Sequence, residues 1–244
     1  MTSTLQPSSL GLRQIDLLQG LAAARLDAIG RQCAWRPYDA GQRLVAREDG
    51  DRDLRFIVAG TVRVTTYSSG GRETSFRELA AGTSFGELAA IDGRPRSADV
   101  VALTPGLLAS MPPAAFRELL REEWIVNERV LVRLADLARG LVDRVLELST
   151  LSVQQRVCME LLRIARSGSG SGAAGRELRI EPVPKHVELA NRVSTYRELV
   201  TRELSALAKA GVLVREGGAL VVRDPVRLQR MAEGTREPVA KSGA

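Results

Sequence analysis

The 244-residue sequence predicts an α+β fold in which a closed sheet of short strands is followed by a long helix and a small mixed domain. Short apolar runs separated by glycine-containing turns fill residues 32–111. An apolar heptad repeat then occupies residues 124–148, and two amphipathic segments with a hairpin signal follow.

The first predicted element is a helix over residues 11–30, which Gly30 can end. Its apolar stripe consists of Leu17, Leu18, Leu21, Leu26 and Ile29.

The region from about residue 32 to 111 contains short strand-like runs, separated by turns such as Ala59-Gly60 and residues 68–71. Many short strands at regular spacing predict a closed sandwich or barrel. The predicted strands are Arg55–Val58, Thr61–Tyr67, Glu73–Leu79, Asp99–Leu103 and Gly106–Met111.

Two helices are predicted after Pro112-Pro113, at residues 114–122 and 124–148. The second has a heptad seam, which predicts a partner helix and most simply a second copy of the chain. Alternatively this helix lies on its own barrel, since Val130 and Leu137 offer a second apolar face. The seam consists of Trp124, Leu131, Ala138 and Val145 with Asn127, Leu134, Leu141 and Leu148.

A hinge is predicted at Ser149-Thr150, followed by a helix over residues 153–165. Residues 167–172 alternate serine and glycine and predict a flexible loop before a small strand near 177–180. The polar tail beyond about Glu233 is expected to be disordered.

Residues 185–213 predict two helices joined by a tight turn, and Gly211 can end the second. Gly217-Gly218 lies between two apolar runs, 212–215 and 219–223, and predicts a hairpin. Two helices and a hairpin make a winged helix-turn-helix. The charge is consistent with a polyanion partner, because residues 151–244 hold 16 Lys+Arg and 10 Asp+Glu while residues 1–150 hold 19 of each.

The N-terminal half of the second helix carries the side chains suited to base edges and phosphates. Two ordinary helical roles compete: a T-x-x-E capping box from Thr195 to Glu198, and an i,i+4 ion pair between Glu198 and Arg202. His186 begins the first helix, where a DNA phosphate contact is possible. The candidate DNA-binding residues are His186, Thr195, Tyr196, Arg197, Glu198, Thr201 and Arg202.

Residues 85–98 combine groups suited to a small anionic sugar phosphate. Gly86 lets the backbone approach an anion, Arg96 offers a forked cation, and Ser97 adds a hydroxyl. Glu87 would repel a phosphate unless it accepts from a sugar hydroxyl. The structural alternative is a simple ion pair between Arg96 and Glu87 across the turn.

This segment resembles the phosphate-binding cassette of cyclic-nucleotide-binding domains, in both its Phe85-Gly-Glu-Leu88 start and its Pro95-Arg-Ser-Ala98 end. Arg197, Glu198 and Arg202 resemble the base-reading triplet of the Crp/Fnr regulators. The resemblance implies a double-stranded β-helix (jelly-roll-like β-roll), a long dimerisation helix and a C-terminal winged helix-turn-helix. The implied domains are the β-roll over 11–123, the helix and hinge over 124–150, the DNA-binding domain over 151–230 and the tail over 231–244.

The resemblance also implies residue roles. Glu87 would bind the ribose hydroxyl, while Gly86, Leu88, Arg96, Ser97 and Ala98 would surround the cyclic phosphate. Cyclic-AMP receptor proteins contact the base through a Thr-Ser pair and an arginine on the long helix. This chain has Leu141 and Val142 at the pair and Leu137 at the arginine, so those hydrogen bonds are absent. Cyclic AMP is the first expectation, with cyclic GMP or activity without a ligand as alternatives.

The implied protein is a homodimeric transcription regulator of the cytoplasm that reads a palindromic operator and has RNA polymerase as a partner. One histidine and two distant cysteines argue against metal, iron–sulfur and triad chemistry, and therefore against an enzyme. A haem would find no barrel histidine, although Cys33 leaves cysteine ligation open. No apolar run is long enough for a membrane span, and no secretory signal is expected. The rival class is a nucleotide-binding module that regulates a partner protein.

Overall fold

The computed structural model describes residues 9–67, 73–167 and 177–234. Its contacts divide the chain into two compact units, residues 1–139 and 140–244, and the division falls inside the longest helix. The predicted turn at 68–71, the loop after Ser167 and the tail after Gly234 lie outside the described residues.

The first unit contains two four-stranded antiparallel sheets, one in the order β1-β8-β3-β6 and the other in the order β2-β7-β4-β5. Consecutive strands therefore alternate between the sheets, as in a jelly roll, except that β4 and β5 pair as a hairpin in the second sheet. The strands are β1 Ala34–Tyr38, β2 Arg43–Val45, β3 Leu54–Ala59, β4 Thr61–Tyr67, β5 Glu73–Ala80, β6 Ser84–Phe85, β7 Asp99–Ala102 and β8 Gly106–Met111.

Strand β3 shows how the sheets are covered, because its neighbouring side chains point to opposite faces. Ile57 packs into the core between the two sheets with Val62 and Val100. Phe56 faces the other way and packs with Phe116 and helical residues. Both β3 side chains are fully buried, so one strand supports both cores of this unit.

The helices of the first unit cover the outer face of the first sheet. The prediction of a single helix over 11–30 was wrong: this region forms α1 Ser9–Leu12, a 3-10 turn Asp16–Leu18 and α2 Ala23–Gln32. Gly20 adopts a left-handed φ of 83° and interrupts the helix, while the Asp16 amide donates to Gly82 O at 2.8 Å. Helix α4 spans Pro113–Glu122, beginning on its proline.

Helix α5 spans Trp124–Thr150 without a break. The predicted hinge residues Ser149 and Thr150 are therefore still helical. The interruption comes one residue later, where Ser152 caps the next helix: Gln155 N donates to Ser152 Oγ at 3.3 Å, and Ser152 N donates to Gln155 Oε1 at 2.9 Å. This reciprocal pair of hydrogen bonds caps the start of the next helix and ends the short non-helical segment after α5.

The second unit folds around an apolar core supplied by every helix and strand after α5. It confirms the predicted winged helix-turn-helix and adds one helix that the sequence did not predict, α9. The antiparallel sheet has the order β10-β11-β9. The elements are α6 Val153–Ser167, β9 Leu178–Ile180, α7 His186–Arg192, α8 Arg197–Lys209, β10 Leu213–Glu216, β11 Ala219–Val222 and α9 Pro225–Glu233.

Candidate functional site

The cassette begins where β6 passes into the short helix α3, Glu87–Asp92, through Gly86. Gly86 has a left-handed φ of 92°, and a Cβ there would lie 2.3 Å from Arg96 Nη1 and 2.9 Å from Asp53 O. Both the conformation and the space exclude a larger residue. The glycine thus allows Arg96 to lie directly against the backbone of the turn.

Arg96 is buried, with 4% of its surface exposed. Its Nη2 donates to Asp51 Oδ2 at 2.8 Å and to Asp53 O at 2.7 Å, and its Nη1 donates to Gly86 O at 3.3 Å. The alternative of an Arg96–Glu87 ion pair was wrong, because the guanidinium reaches Asp51 on the loop before β3. Within the part of the chain that the structure describes, its Nε has no hydrogen-bond partner, so that N–H remains available as a donor.

Asp51 is shared by two arginines, since Arg55 Nη2 also donates to Asp51 Oδ2. Burial pushes the pKa of Asp51 up, but the hydrogen bond from Arg96 and the charge of Arg55 outweigh burial, and the net shift is downward. Burial and the neighbouring Asp51 raise the pKa of Asp53. Asp51 is therefore the ionised partner of this arginine pair at neutral pH.

The other cassette residues differ in how far they are exposed to solvent. Glu87 is 7% exposed and has no hydrogen-bond or ion-pair partner among the described residues. Leu88 is 38% exposed, Ser97 is exposed and Ala98 is half-buried. Because an ionised carboxylate only accepts hydrogen bonds, Glu87 suits a site where a ligand hydroxyl is the donor.

Helix α5 contacts the cassette strand through Arg133. Its Nη1 donates to Ser84 Oγ at 2.7 Å, and its Nη2 donates to Asp16 Oδ2 at 2.8 Å. Ser84 lies two residues before Gly86 and is buried. The first half of α5 is thereby bonded to the strand that leads into the cassette.

The proposed base-contacting residues lie on the second half of α5, in the second unit. Leu141 and Val142 are 53% and 59% exposed. Other large apolar side chains of α5 are exposed with them, namely Trp124, Leu131, Val132, Val145, Leu146 and Leu148. By contrast Val126 and Val130 are buried against the first unit. One face of α5 is thus covered by its own barrel, while another carries an uncovered apolar surface.

The candidate DNA-binding face is formed by α8 and the residue before it. Tyr196, Arg197, Glu198, Thr201 and Arg202 are exposed. Glu198 lies in the first turn of α8, so its carboxylate stands beside the positive end of that helix. The face combines carboxylate, hydroxyl and guanidinium groups on successive helical turns.

Two sequence-based alternatives for this face were wrong. Thr195 is 5% exposed, and helix α8 starts after Tyr196 with no side-chain cap, so the Thr195–Glu198 capping box is not formed. Arg202 pairs with Glu203 at 3.1 Å instead of Glu198. The tight turn buries Thr195, and its amide donates to Ala190 O at 2.9 Å. Thr195 therefore lies beneath the exposed face.

His186 contacts the recognition helix directly. Its Nδ1 lies 2.8 Å from Thr201 Oγ1, and that hydroxyl donates to Arg197 O at 2.9 Å. The hydroxyl proton is thus used, so Nδ1 carries the hydrogen of the His186–Thr201 bond. This contact joins the start of α7 to the exposed face of α8.

Sequence reasoning missed Asp51, Arg55 and Arg144. Arg144 contacts the turn between α7 and α8 through Ser194. The alternation of Asp51, Asp53 and Arg55 at a strand start was a usable signal for a charged cluster, since alternate residues share one face. No comparable local pattern marks Arg144, because its partner lies 50 residues away.

The two cysteines are the remaining candidates for reactive side chains. Burial raises the pKa of Cys33 and of Cys158 to about 12. Within residues 9–67, 73–167 and 177–234, no group of three or more His, Cys, Asp and Glu is arranged to hold a metal ion. Over the same described ranges, no helix has the length and apolar character needed to cross a membrane.

Comparison with known proteins places this geometry in a family. The cyclic nucleotide-binding domain profile matches residues 35–123, and the Crp-like helix-turn-helix domain profile matches residues 155–231. The Cyclic AMP receptor protein of Thermus thermophilus is 32% identical over 221 residues, which cover 89% of this chain and 97% of that protein. The chain belongs to the Crp/Fnr family of transcription regulators.

Other Crp/Fnr comparisons agree. The CRP-like cAMP-activated global transcriptional regulator of Mycobacterium tuberculosis is 29% identical over 223 residues, covering 91% of this chain and 98% of that regulator. A mutant CooA from Carboxydothermus hydrogenoformans has the same fold, with a TM-score of 0.72 at 18% identity over 90% of this chain and 95% of that chain. This Crp/Fnr protein is thus a DNA-binding regulator with a cyclic nucleotide-binding domain.

Proposed function

We propose that this Crp/Fnr regulator is a homodimer whose affinity for a palindromic operator is controlled by a cyclic nucleotide bound in the β-roll, with cyclic AMP as the first candidate. RNA polymerase is its proposed partner at the promoter, and the cytoplasm its proposed location. The proposed domains remain 11–123, 124–150, 151–230 and 231–244. The names of the two relatives, both of which refer to cyclic AMP, support this choice of ligand.

The observation that carries the proposal is the cradle formed by Gly86 and the buried Arg96. The guanidinium lies against a glycine that no other residue could replace, and its Nε is an unsatisfied buried donor. A cyclic phosphate offers the acceptor oxygens that such a donor lacks. Glu87, which has no protein partner among the described residues, supplies the acceptor for a ribose hydroxyl.

The DNA-binding half of the proposal is supported by the exposed α8 face. Arg197 and Arg202 are suited to guanine, and Glu198 can accept from cytosine N4. Tyr196 and Thr201 lie on the same face, and His186 at the start of α7 is proposed to approach a phosphate. Thr195 is the exception in the proposed set: its side chain is buried and its amide is bonded to Ala190 O, so we propose that it supports the turn beneath this face.

A second candidate is a regulator that binds its operator without a nucleotide. Two observations favour it: Asp51 already occupies Arg96, and the base-facing positions Leu141 and Val142 are apolar. In this second candidate, the apolar surface of α5 alone would stabilise the dimer, without a contribution from a nucleotide. Cyclic GMP is the remaining ligand alternative, because the cradle recognises ribose and phosphate rather than the base.

The test is calorimetry of the purified chain with cyclic AMP and, separately, cyclic GMP, using Arg96→Ala as the control. Arg55 still pairs with Asp51 in that variant, so the fold is expected to persist, and circular dichroism checks this. We expect heat from cyclic AMP that disappears in Arg96→Ala. Binding that survives in Arg96→Ala would contradict the cassette assignment.

The DNA half is tested by selecting duplexes from a random pool with and without cyclic AMP. Enrichment of a palindrome only with the nucleotide supports the controlled regulator. Enrichment of the same palindrome by the free chain, with no heat from either nucleotide, supports the second candidate instead.

A further inference from the structure

The turn between α7 and α8 determines where the recognition helix begins. Ser194 has a φ of 53°, a left-handed conformation that non-glycine residues rarely adopt. Thr195 follows it into the interior, and α8 begins only three residues after Ser194, at Arg197. A displacement of this turn would therefore move the first residues of the DNA-contacting face.

Two arginines from outside the helix-turn-helix hold this turn. Arg144 on α5 donates through Nη2 to Ser194 Oγ at 2.7 Å and to Arg192 O at 2.5 Å. Arg156 on α6 donates through Nε to Val193 O at 3.0 Å. Three consecutive residues of the turn thus receive guanidinium donors. These carbonyls belong to the C-terminal end of α7, where positive charge is favourable.

Arg144 is itself braced by a chain of ion pairs inside the second unit. Its Nη1 lies 3.1 Å from Glu147 Oε2, and Glu147 Oε1 lies 2.9 Å from Arg163 Nη2. Arg163 then pairs with Glu160 at 2.7 Å, and Glu160 pairs with Arg192 at 3.2 Å. Glu160 is only 4% exposed. The network is closed, because it starts at Arg144 and returns to the residue whose carbonyl Arg144 contacts.

We propose that Arg144 is a positioning residue for operator recognition, which acts through Ser194 to fix the first turn of the recognition helix to the end of α5. The inference rests on the DNA-binding function and deepens it. It assigns sequence discrimination partly to a residue that does not belong to the helix-turn-helix. The last turns of α5, from Arg144 onward, are then part of the DNA-reading apparatus rather than a connector to it.

The experiment compares Arg144→Met with Arg139→Met, a matched change at an exposed arginine of the same helix. Among the described residues, Arg139 pairs only with Asp136. The probes are a duplex selected by the wild-type chain and a scrambled duplex of equal length, at fixed salt. Anisotropy titrations give the ratio of the two affinities. We expect Arg144→Met to reduce this ratio about tenfold, the effect of losing charge-assisted hydrogen bonds, and Arg139→Met to leave it unchanged.

The ratio separates positioning from general damage, because unspecific phosphate attraction persists when the helix is misplaced. Ser194→Ala provides a second route, since it removes only the hydroxyl and leaves the arginine charge. We expect Ser194→Ala to lower the ratio, and the double variant to lose less than the sum of the two single losses.

An unchanged ratio in both Arg144→Met and Ser194→Ala would overturn the inference, and so would strictly additive losses. Thermal unfolding shows whether Arg144→Met is folded. If it is not, the affinity ratio of Ser194→Ala, compared with that of the wild-type chain, tests the inference alone. Failure of the wild-type chain to enrich any duplex contradicts the DNA-binding function itself, so the two failures are distinguishable.

Discussion

The guanidinium of Arg96 lies 2.8 Å from the carboxylate of Asp51, so the arginine proposed to bind a phosphate is already paired with an acidic side chain. Asp51 is also bonded to Arg55, and its pKa is lowered, so it is a charged competitor at neutral pH. A phosphate must displace this carboxylate or share the arginine with it. The terminal nitrogens of Arg96 are consequently satisfied by the chain itself, whereas Nε has no partner among the described residues.

Asp51→Asn is expected to tighten cyclic nucleotide binding, by about tenfold, because an amide neither competes for the guanidinium as strongly nor repels the phosphate. Calorimetry with cyclic AMP measures the change. Asp27→Asn is the control, since Asp27 is an exposed residue of α2 and gives the same change in net charge. Weaker binding in Asp51→Asn would show that Asp51 orients Arg96 for the ligand instead of competing with it.

Glu198→Ala is expected to relax base preference at one position of each half-site without destabilising the fold. The carboxylate is exposed and α8 has no side-chain cap, so the substitution removes its DNA role and only a small interaction with the helix dipole. Competition among duplexes that vary one position at a time measures the preference, worth about 1–3 kcal/mol per base pair. Unchanged discrimination at every position, with the wild-type melting temperature, would exclude base reading by Glu198.

Val145→Asp is expected to shift the chain from dimer to monomer, because Val145 lies in the heptad seam of α5 and is 62% exposed. Val132→Asp is the matched control: it is 56% exposed on the same helix but lies outside the seam. Sedimentation velocity over a concentration series distinguishes the two. Dissociation by Val132→Asp but not by Val145→Asp would assign the interface to another face of the helix.

Native protein is expected to show no rapid thiol reaction with a disulfide reagent at pH 8. Burial raises the pKa of Cys33 and Cys158 to about 12, so only about one thiol in ten thousand is ionised at that pH. Both thiols should react after unfolding in urea, which provides the internal control. Fast reaction of either in the native state would point to local opening of its core.

The sequence predicted the elements that follow a strong periodicity. Strand β4 was predicted at its observed bounds, Thr61–Tyr67, and the apolar faces of α7 and α8 were predicted through residues such as Leu189 and Val200. These predictions succeeded because burial of one face imposes the period directly. Short elements such as β6, with two residues, carry no period and were not predicted.

Only the part of the site formed by residues close together in sequence could be predicted. The cassette residues lie close together in sequence, so Gly86 and Arg96 were identified from their spacing. Asp51 was missed, because its contact with Arg96 spans 45 residues and depends on how the strands pair. The single helix predicted for 11–30 failed for a related reason, since the hydrogen bond from Asp16 to Gly82 is a tertiary contact.

The hydrogen bond between His186 and Thr201 has a consequence for how the imidazole ring can meet DNA. Since Nδ1 carries the shared hydrogen, the neutral ring presents a lone pair at Nε2. A lone pair repels a phosphate oxygen, whereas an imidazolium donates to it. In the neutral form a phosphate contact at Nε2 therefore needs a bridging water molecule, which can donate one hydrogen to the ring nitrogen and the other to the phosphate oxygen.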